Sequence, residues 1–95
     1  MSTEEFRAAL AKYVSILEES ARTTHRAEDR SIYEKHLANS AKMFLAIESE
    51  DPLGSLKRLV SDERRFYGWG YLSGAAGEAA ESAFNEFAEF IAKAT

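Results

Sequence analysis

Cysteine is absent from the chain, which excludes a disulfide framework, a thiolate zinc site and a thiol nucleophile. Proline occurs once and glycine five times. So few breakers disfavour the many tight turns of an all-β fold and favour long helices. The longest interior apolar run, Met43 to Ile47, is far too short to span a bilayer. An excess of positive charge is missing too. The formal net charge is -4, which argues against a surface built for phosphate, since nucleic-acid affinity rests mainly on Lys and Arg. The opening Met1-Ser2-Thr3-Glu4-Glu5 is acidic, without the apolar stretch of a secretion signal. Together these features read as a soluble cytoplasmic protein with no nucleic-acid or membrane partner.

What is present fits one domain spanning residues 1–95. Hydrophobic residues make up 45% of the chain, enough for a core and too many for disorder. A chain this size buries only about two-thirds of its unfolded surface, so its margin of stability is thin. No internal repeat or low-complexity tract interrupts it.

Four amphipathic helices are expected, over about 3–21, 25–48, 52–66 and 74–93. The first carries Phe6, Ala9, Leu10, Tyr13, Val14, Leu17 and Ala21 on one face at helical spacing, and Ser2 with Glu5 forms a capping box. Neither Gly nor Pro separates it from the second helix. However, continuing one helix unbroken would rotate the apolar face by roughly 160° between its two halves. A break at Arg22 to Thr24 removes that conflict, with Thr23 or Thr24 as the N-cap. The second helix has a wide apolar arc of Ile32, Tyr33, Leu37, Ala41, Met43, Phe44 and Ile47, with Leu45 beyond its edge, which suggests more than one neighbour. Such an arc also leaves apolar surface that a dimer could bury. Asp51-Pro52 stops the segment and opens the third helix, with Asp as cap and Pro at the first helical position. Leu53, Leu56, Leu59, Val60, Phe66 and Tyr67 form its inner face, and Lys57, Arg58, Asp62 and Arg65 point outward.

Residues 68–74, Gly-Trp-Gly-Tyr-Leu-Ser-Gly, read as a loop, since three glycines in seven residues propagate a helix poorly. Ser73 is placed to cap the fourth helix. That helix begins with alanines on its inner face (Ala76, Ala79, Ala80, Ala83) and ends with Phe84, Phe87, Phe90 and Ile91. It should therefore approach its neighbours more closely at its start. The expected architecture is an all-α, four-helix bundle-like domain.

Three features invite a functional reading. Phe66, Tyr67, Trp69 and Tyr71 crowd four aromatics into six positions, next to Arg65. Such residues lead among interface hot spots, and the same loop could equally plug the open end of the bundle. His36 lies within the apolar arc of the second helix and Glu63 in the middle of the stripe of the third. A buried carboxyl must be paired, and His36, Tyr33 or Tyr67 could serve. A His–Glu pair in a cavity is an acid–base candidate, but nothing supplies a nucleophile or oxyanion donor, and a structural bridge between the two helices is the simpler reading. A metal set of His25, Asp29 and His36 fails on distance, because His25 and His36 would stand roughly 16 Å apart along a helix. The inward Glu and Glu-x-x-His pattern of di-iron bundles fails as well, with Tyr at position 33. The join at Pro52 makes a poor helix-turn-helix.

The sequence thus points to a non-catalytic protein–protein interaction module that binds an unknown partner or a second copy of itself, with no cofactor and no metal. The alternative is a small-ligand pocket under the aromatic loop, lined by Tyr33, His36, Glu63, Tyr67 and Trp69.

Overall fold

The computed structural model describes residues 3–69, 72 and 74–94, and of Trp69 the backbone alone. Four helices account for nearly all of it: α1 (Thr3–Thr23), α2 (Ala27–Ile47), α3 (Pro52–Trp69) and α4 (Gly74–Lys93). Among the described residues there is no strand, and no helix is long and apolar enough to cross a membrane.

The helices form a ring, α1 on α2, α2 on α3, α3 on α4 and α4 back on α1, with the α3–α4 seam the lightest. Neighbours run antiparallel. Arg7 on α1 pairs with Glu48 just past α2. Asn39 on α2 reaches Glu63 on α3, and on α4 Glu86 meets Lys12 while Ala76 meets Ser20. Stripes of apolar residues one turn apart on each helix close on a single core. Leu10, Tyr13, Leu17, Tyr33, Met43, Ile47, Leu56, Phe84 and Ile91 are its largest fully buried apolar side chains.

The turn between α1 and α2 falls where the apolar face would otherwise rotate away from the core. The residue at the α2 N-cap is Arg26, however, with extended backbone (φ -96, ψ 124) and no side-chain capping bond. Thr23 instead completes α1, its hydroxyl donating to the Ser20 carbonyl (3.3 Å), and the Thr24 hydroxyl accepts from the Arg26 amide at 3.4 Å. Neither threonine is the N-cap. At α3 the expectation holds: the Gly54 amide donates to Asp51 Oδ1 at 3.1 Å, with Pro52 as the first helical residue.

α3 runs three residues past the expected end at 66 and takes in Gly68 and the backbone of Trp69. The stacking of Tyr67 on His36 and its hydrogen bond to Tyr13 fix the turn preceding Gly68. A glycine costs only about 1 kcal/mol within a helix, less than such packing returns. The chain re-enters helix at Gly74, whose φ of 75 only glycine adopts without strain. Ser2, Tyr71 and Ser73, and with them two expected caps, lie outside the described residues.

α4 approaches its neighbours through backbone at its start. The Ser20 hydroxyl donates to the Ala76 carbonyl (3.0 Å), and buried Gly77 lies so close to the Leu72 carbonyl that a Cβ there would meet its oxygen at 2.4 Å. Two alanines assigned to inner faces, Ala41 and Ala79, are exposed. Alanine has little to gain from burial and tolerates the rim of a stripe. Leu45 lies outside the α2 arc as expected and is 74% exposed.

Candidate functional site

Glu63 stands on the same stripe of α3 as Leu56, Val60 and Tyr67, so helix formation carries its carboxyl into the core. It is fully buried, at 0% exposure. Two donors from two other helices meet it. Tyr13 of α1 donates its hydroxyl to Oε2, and Asn39 of α2 donates Nδ2–H to Oε1 at 2.8 Å. The second Asn39 proton reaches the Leu59 carbonyl at 3.3 Å. Both carboxyl oxygens therefore accept, which is the pattern of an ionised carboxylate.

The network continues to Tyr67, whose hydroxyl lies 2.6 Å from that of Tyr13 and 3.4 Å from the Ala80 carbonyl of α4. Tyr13 has one proton and gives it to Glu63, so the Tyr67 proton is shared between Tyr13 and Ala80. All four helices are joined through five residues. Burial pushes the Tyr13 hydroxyl far above the ordinary phenol value, with the neighbouring Glu63 charge adding to it. Burial likewise raises Tyr67 and Tyr33.

His36 is also at 0% exposure. Its ring stacks on Tyr67 with centroids 4.1 Å apart and meets Phe66 edge-on at 5.9 Å. Neither ring nitrogen makes a hydrogen bond, and Nδ1 lies 3.6 Å from Glu63 Oε2. The bridge expected between His36 and Glu63 is therefore not made by a hydrogen bond. Tyr13 and Asn39 already occupy the carboxyl oxygens, and His36 is held by its ring faces. The Tyr33 hydroxyl, one turn earlier, is buried without a hydrogen-bond partner as well.

The group thus holds a carboxyl, an imidazole and two phenols close together, the inventory of acid–base chemistry. His36 and Glu63 are sealed from solvent. Among the described residues, no three His, Asp or Glu side chains are grouped to hold a metal ion.

The aromatic cluster of the sequence divides. Tyr67 turns inward to the network. Phe66 is half-buried and Arg65 exposed, and both line a shallow cleft of about 240 Å3 between α2 and α3, together with Asn39, Lys42, Leu59 and Asp62. Asn39 has its polar end in the network below, so it links cleft and core. Trp69 closes α3, with its side chain outside the described residues, as is Tyr71.

Sequence reasoning found Glu63, His36 and Tyr67 but not the two principal donors, Tyr13 and Asn39. A signal existed for each. A tyrosine in mid-stripe brings a hydroxyl that needs a partner, and Asn39 stands three residues after His36, on the neighbouring line of the same helix.

No protein-family model matches the chain, and no curated protein and no solved structure matches it.

Proposed function

We propose that this chain is a non-catalytic protein–protein interaction module. The observation that carries the reading is the division of its polar residues. Among the described residues, the constellation with catalytic ingredients has His36 and Glu63 closed to solvent, whereas the cleft between α2 and α3 is open and offers an aromatic ring (Phe66), an aliphatic side chain (Leu59) and charges of both signs (Arg65, Lys42, Asp62). Half-buried aromatics flanked by arginine are what protein interfaces use. A small-ligand site among Tyr33, His36, Glu63 and Tyr67 finds less support, since stacking at 4.1 Å leaves no room between the His36 and Tyr67 rings. Freedom from cysteine suits the reducing cytoplasm.

The test is a photoactivatable phenylalanine derivative in place of Arg65, with Glu28 at the start of α2 as the control position, irradiated in the cells that make the protein. A discrete adduct at 65, absent at 28 and lost on Phe66→Ala, is expected. Its mass tells a second copy from a different protein. The unmodified chain alone after irradiation at 65 would overturn the proposal.

A further inference from the structure

Asn39 faces two ways. Both protons of its amide nitrogen are spent inward, on Glu63 Oε1 at 2.8 Å and on the Leu59 carbonyl at 3.3 Å. Its amide oxygen has no hydrogen-bond partner among the described residues and is not shut off from solvent. The oxygen therefore opens into the cleft between α2 and α3 that Asn39 lines. Turning the amide over would set that oxygen against the Glu63 carboxylate, two acceptors with no proton between them. The buried charge thus holds a carbonyl in the cleft as a fixed acceptor, its orientation settled before anything binds.

Around this acceptor the charge is one-sided. Lys35 and Lys42 stand four residues before and three after Asn39, on the same side of α2. Arg58 and Arg65 stand four before and three after Asp62, which lines the cleft from α3. All four cations are exposed, and among the described residues none of them makes an ion pair. The two helices are antiparallel, and Asn39 lies level with the turn from Leu59 to Glu63. Lys42 therefore stands beside Arg58 at one end and Lys35 beside Arg65 at the other. Asp62 is the carboxylate inside this frame. Glu28, further along the same side of α2, is engaged by Arg26, and Glu34 lies about 140° around the helix from Asn39. In a chain of net charge -4, four cations thus surround one carboxylate, with Phe66 and Leu59 between them.

We propose that the occupant of this cleft is an acidic, partly apolar peptide segment of another protein, one of whose backbone N–H groups is donated to the Asn39 side-chain carbonyl. This rests on the reading of the cleft as a docking surface and names what docks there. Each part of the site selects against a different competitor. The cations attract carboxylates and repel a basic segment. A phosphate backbone would satisfy the cations, but it offers acceptors only and leaves the Asn39 oxygen without a donor. A peptide brings a donor at every residue but proline. Phe66 and Leu59 then receive an apolar side chain. Because the cations stand on exposed rims, binding weakens as salt is added.

The experiment is selection of a displayed library of random short peptides on the full chain, counter-selected on Phe66→Ala. Enriched peptides should carry net negative charge and at least one large apolar residue. The tightest is then synthesised and titrated by fluorescence polarisation. K42E/R65E, altered at two exposed positions and checked for helicity by circular dichroism, should bind it at least about tenfold more weakly. Replacing the peptide's amides one at a time by esters removes an N–H without adding bulk. One position should lose about fivefold and the rest far less. Selection of basic or uncharged peptides, unchanged binding by K42E/R65E, or equal effects of every ester overturns the proposal. So does a library that yields no peptide dependent on Phe66. The cleft reading is judged separately by the crosslink at position 65. An adduct there beside any of these failures leaves docking intact and removes only the acidic-peptide assignment, whereas no adduct removes both.

Discussion

Tyr13→Phe removes one oxygen from the core and nothing else. The ring keeps its stack on Phe87 (6.0 Å, 7°) and its tilt against Phe84 (5.8 Å), so no cavity opens. What goes is the donor to Glu63 Oε2. A hydrogen bond to a charged group contributes about 1.5–3 kcal/mol, against about 1 for a neutral pair. Tyr67 also loses a neighbour but keeps the Ala80 carbonyl. We expect Tyr13→Phe to cost about 2 kcal/mol, which is large beside the roughly 5–14 kcal/mol total of a domain this long. It corresponds to a fall of about 8–16 °C in Tm. The assay is urea unfolding followed by far-ultraviolet circular dichroism, with the slope against urea checked to be unchanged. Repeating the substitution in a Glu63→Gln background makes the test specific. With a neutral acceptor, Tyr13→Phe should cost only about 1 kcal/mol, leaving about 1 kcal/mol of coupling between the two positions. A cost below about 0.5 kcal/mol, or the same cost in both backgrounds, refutes the view that the tyrosine serves a buried charge.

The raised phenols of Tyr13 and Tyr67 give alkaline pH a defined effect. The folded state holds protons that the unfolded state releases near pH 10. Stability is therefore intact below that point and falls above it by about 2.7 kcal/mol per pH unit for the two groups. Tyrosinate absorbance at 295 nm should then rise for these residues together with loss of helix, and ionisation at pH 10 in a fully helical protein would contradict it. Two glycine-to-alanine changes should have opposite signs in thermal melts. Gly68→Ala, where an added Cβ meets nothing within 4 Å, should stabilise by about 0.5–1 kcal/mol. Gly77→Ala, driven into the Leu72 carbonyl, should destabilise by about 1–3 kcal/mol despite its better helix propensity. Asp51→Ala, which takes the acceptor from the Gly54 amide, should cost about 1 kcal/mol in the same melts, and Asp51→Asn much less.

Helix positions were legible because each apolar stripe has a helical period and α3 opens with Asp-Pro. Even the turn before α2, without Gly or Pro, was betrayed by the rotation of the apolar face. Its N-cap was not legible, because Arg26 occupies the position without a capping bond while two threonines nearby imitate caps. The end of α3 was misplaced because propensity at Gly68 is local, whereas Tyr67 is held by α1, α2 and α4. That extension also decides which aromatics face in, so the aromatic cluster could be noticed but not divided. Glu63 was recognisable as a core carboxyl from its own helix. Its partners were not, since Tyr13 lies 50 positions away, and spacing along one helix does not tell which residue of another stands opposite.

The Glu63 network also restricts which packings the chain can adopt. Leucines and phenylalanines would let α3 slide by one turn and still bury its stripe. A slide of that size, about 5.4 Å, would carry the carboxyl past both Tyr13 and Asn39 and leave a charge among hydrocarbon side chains. The same holds if α1 or α2 slips, because the donors come from different helices. Three helices are thereby set to one common height, as tumblers are by a key. A hydrocarbon core would give cohesion at many settings, whereas this one closes at a single setting.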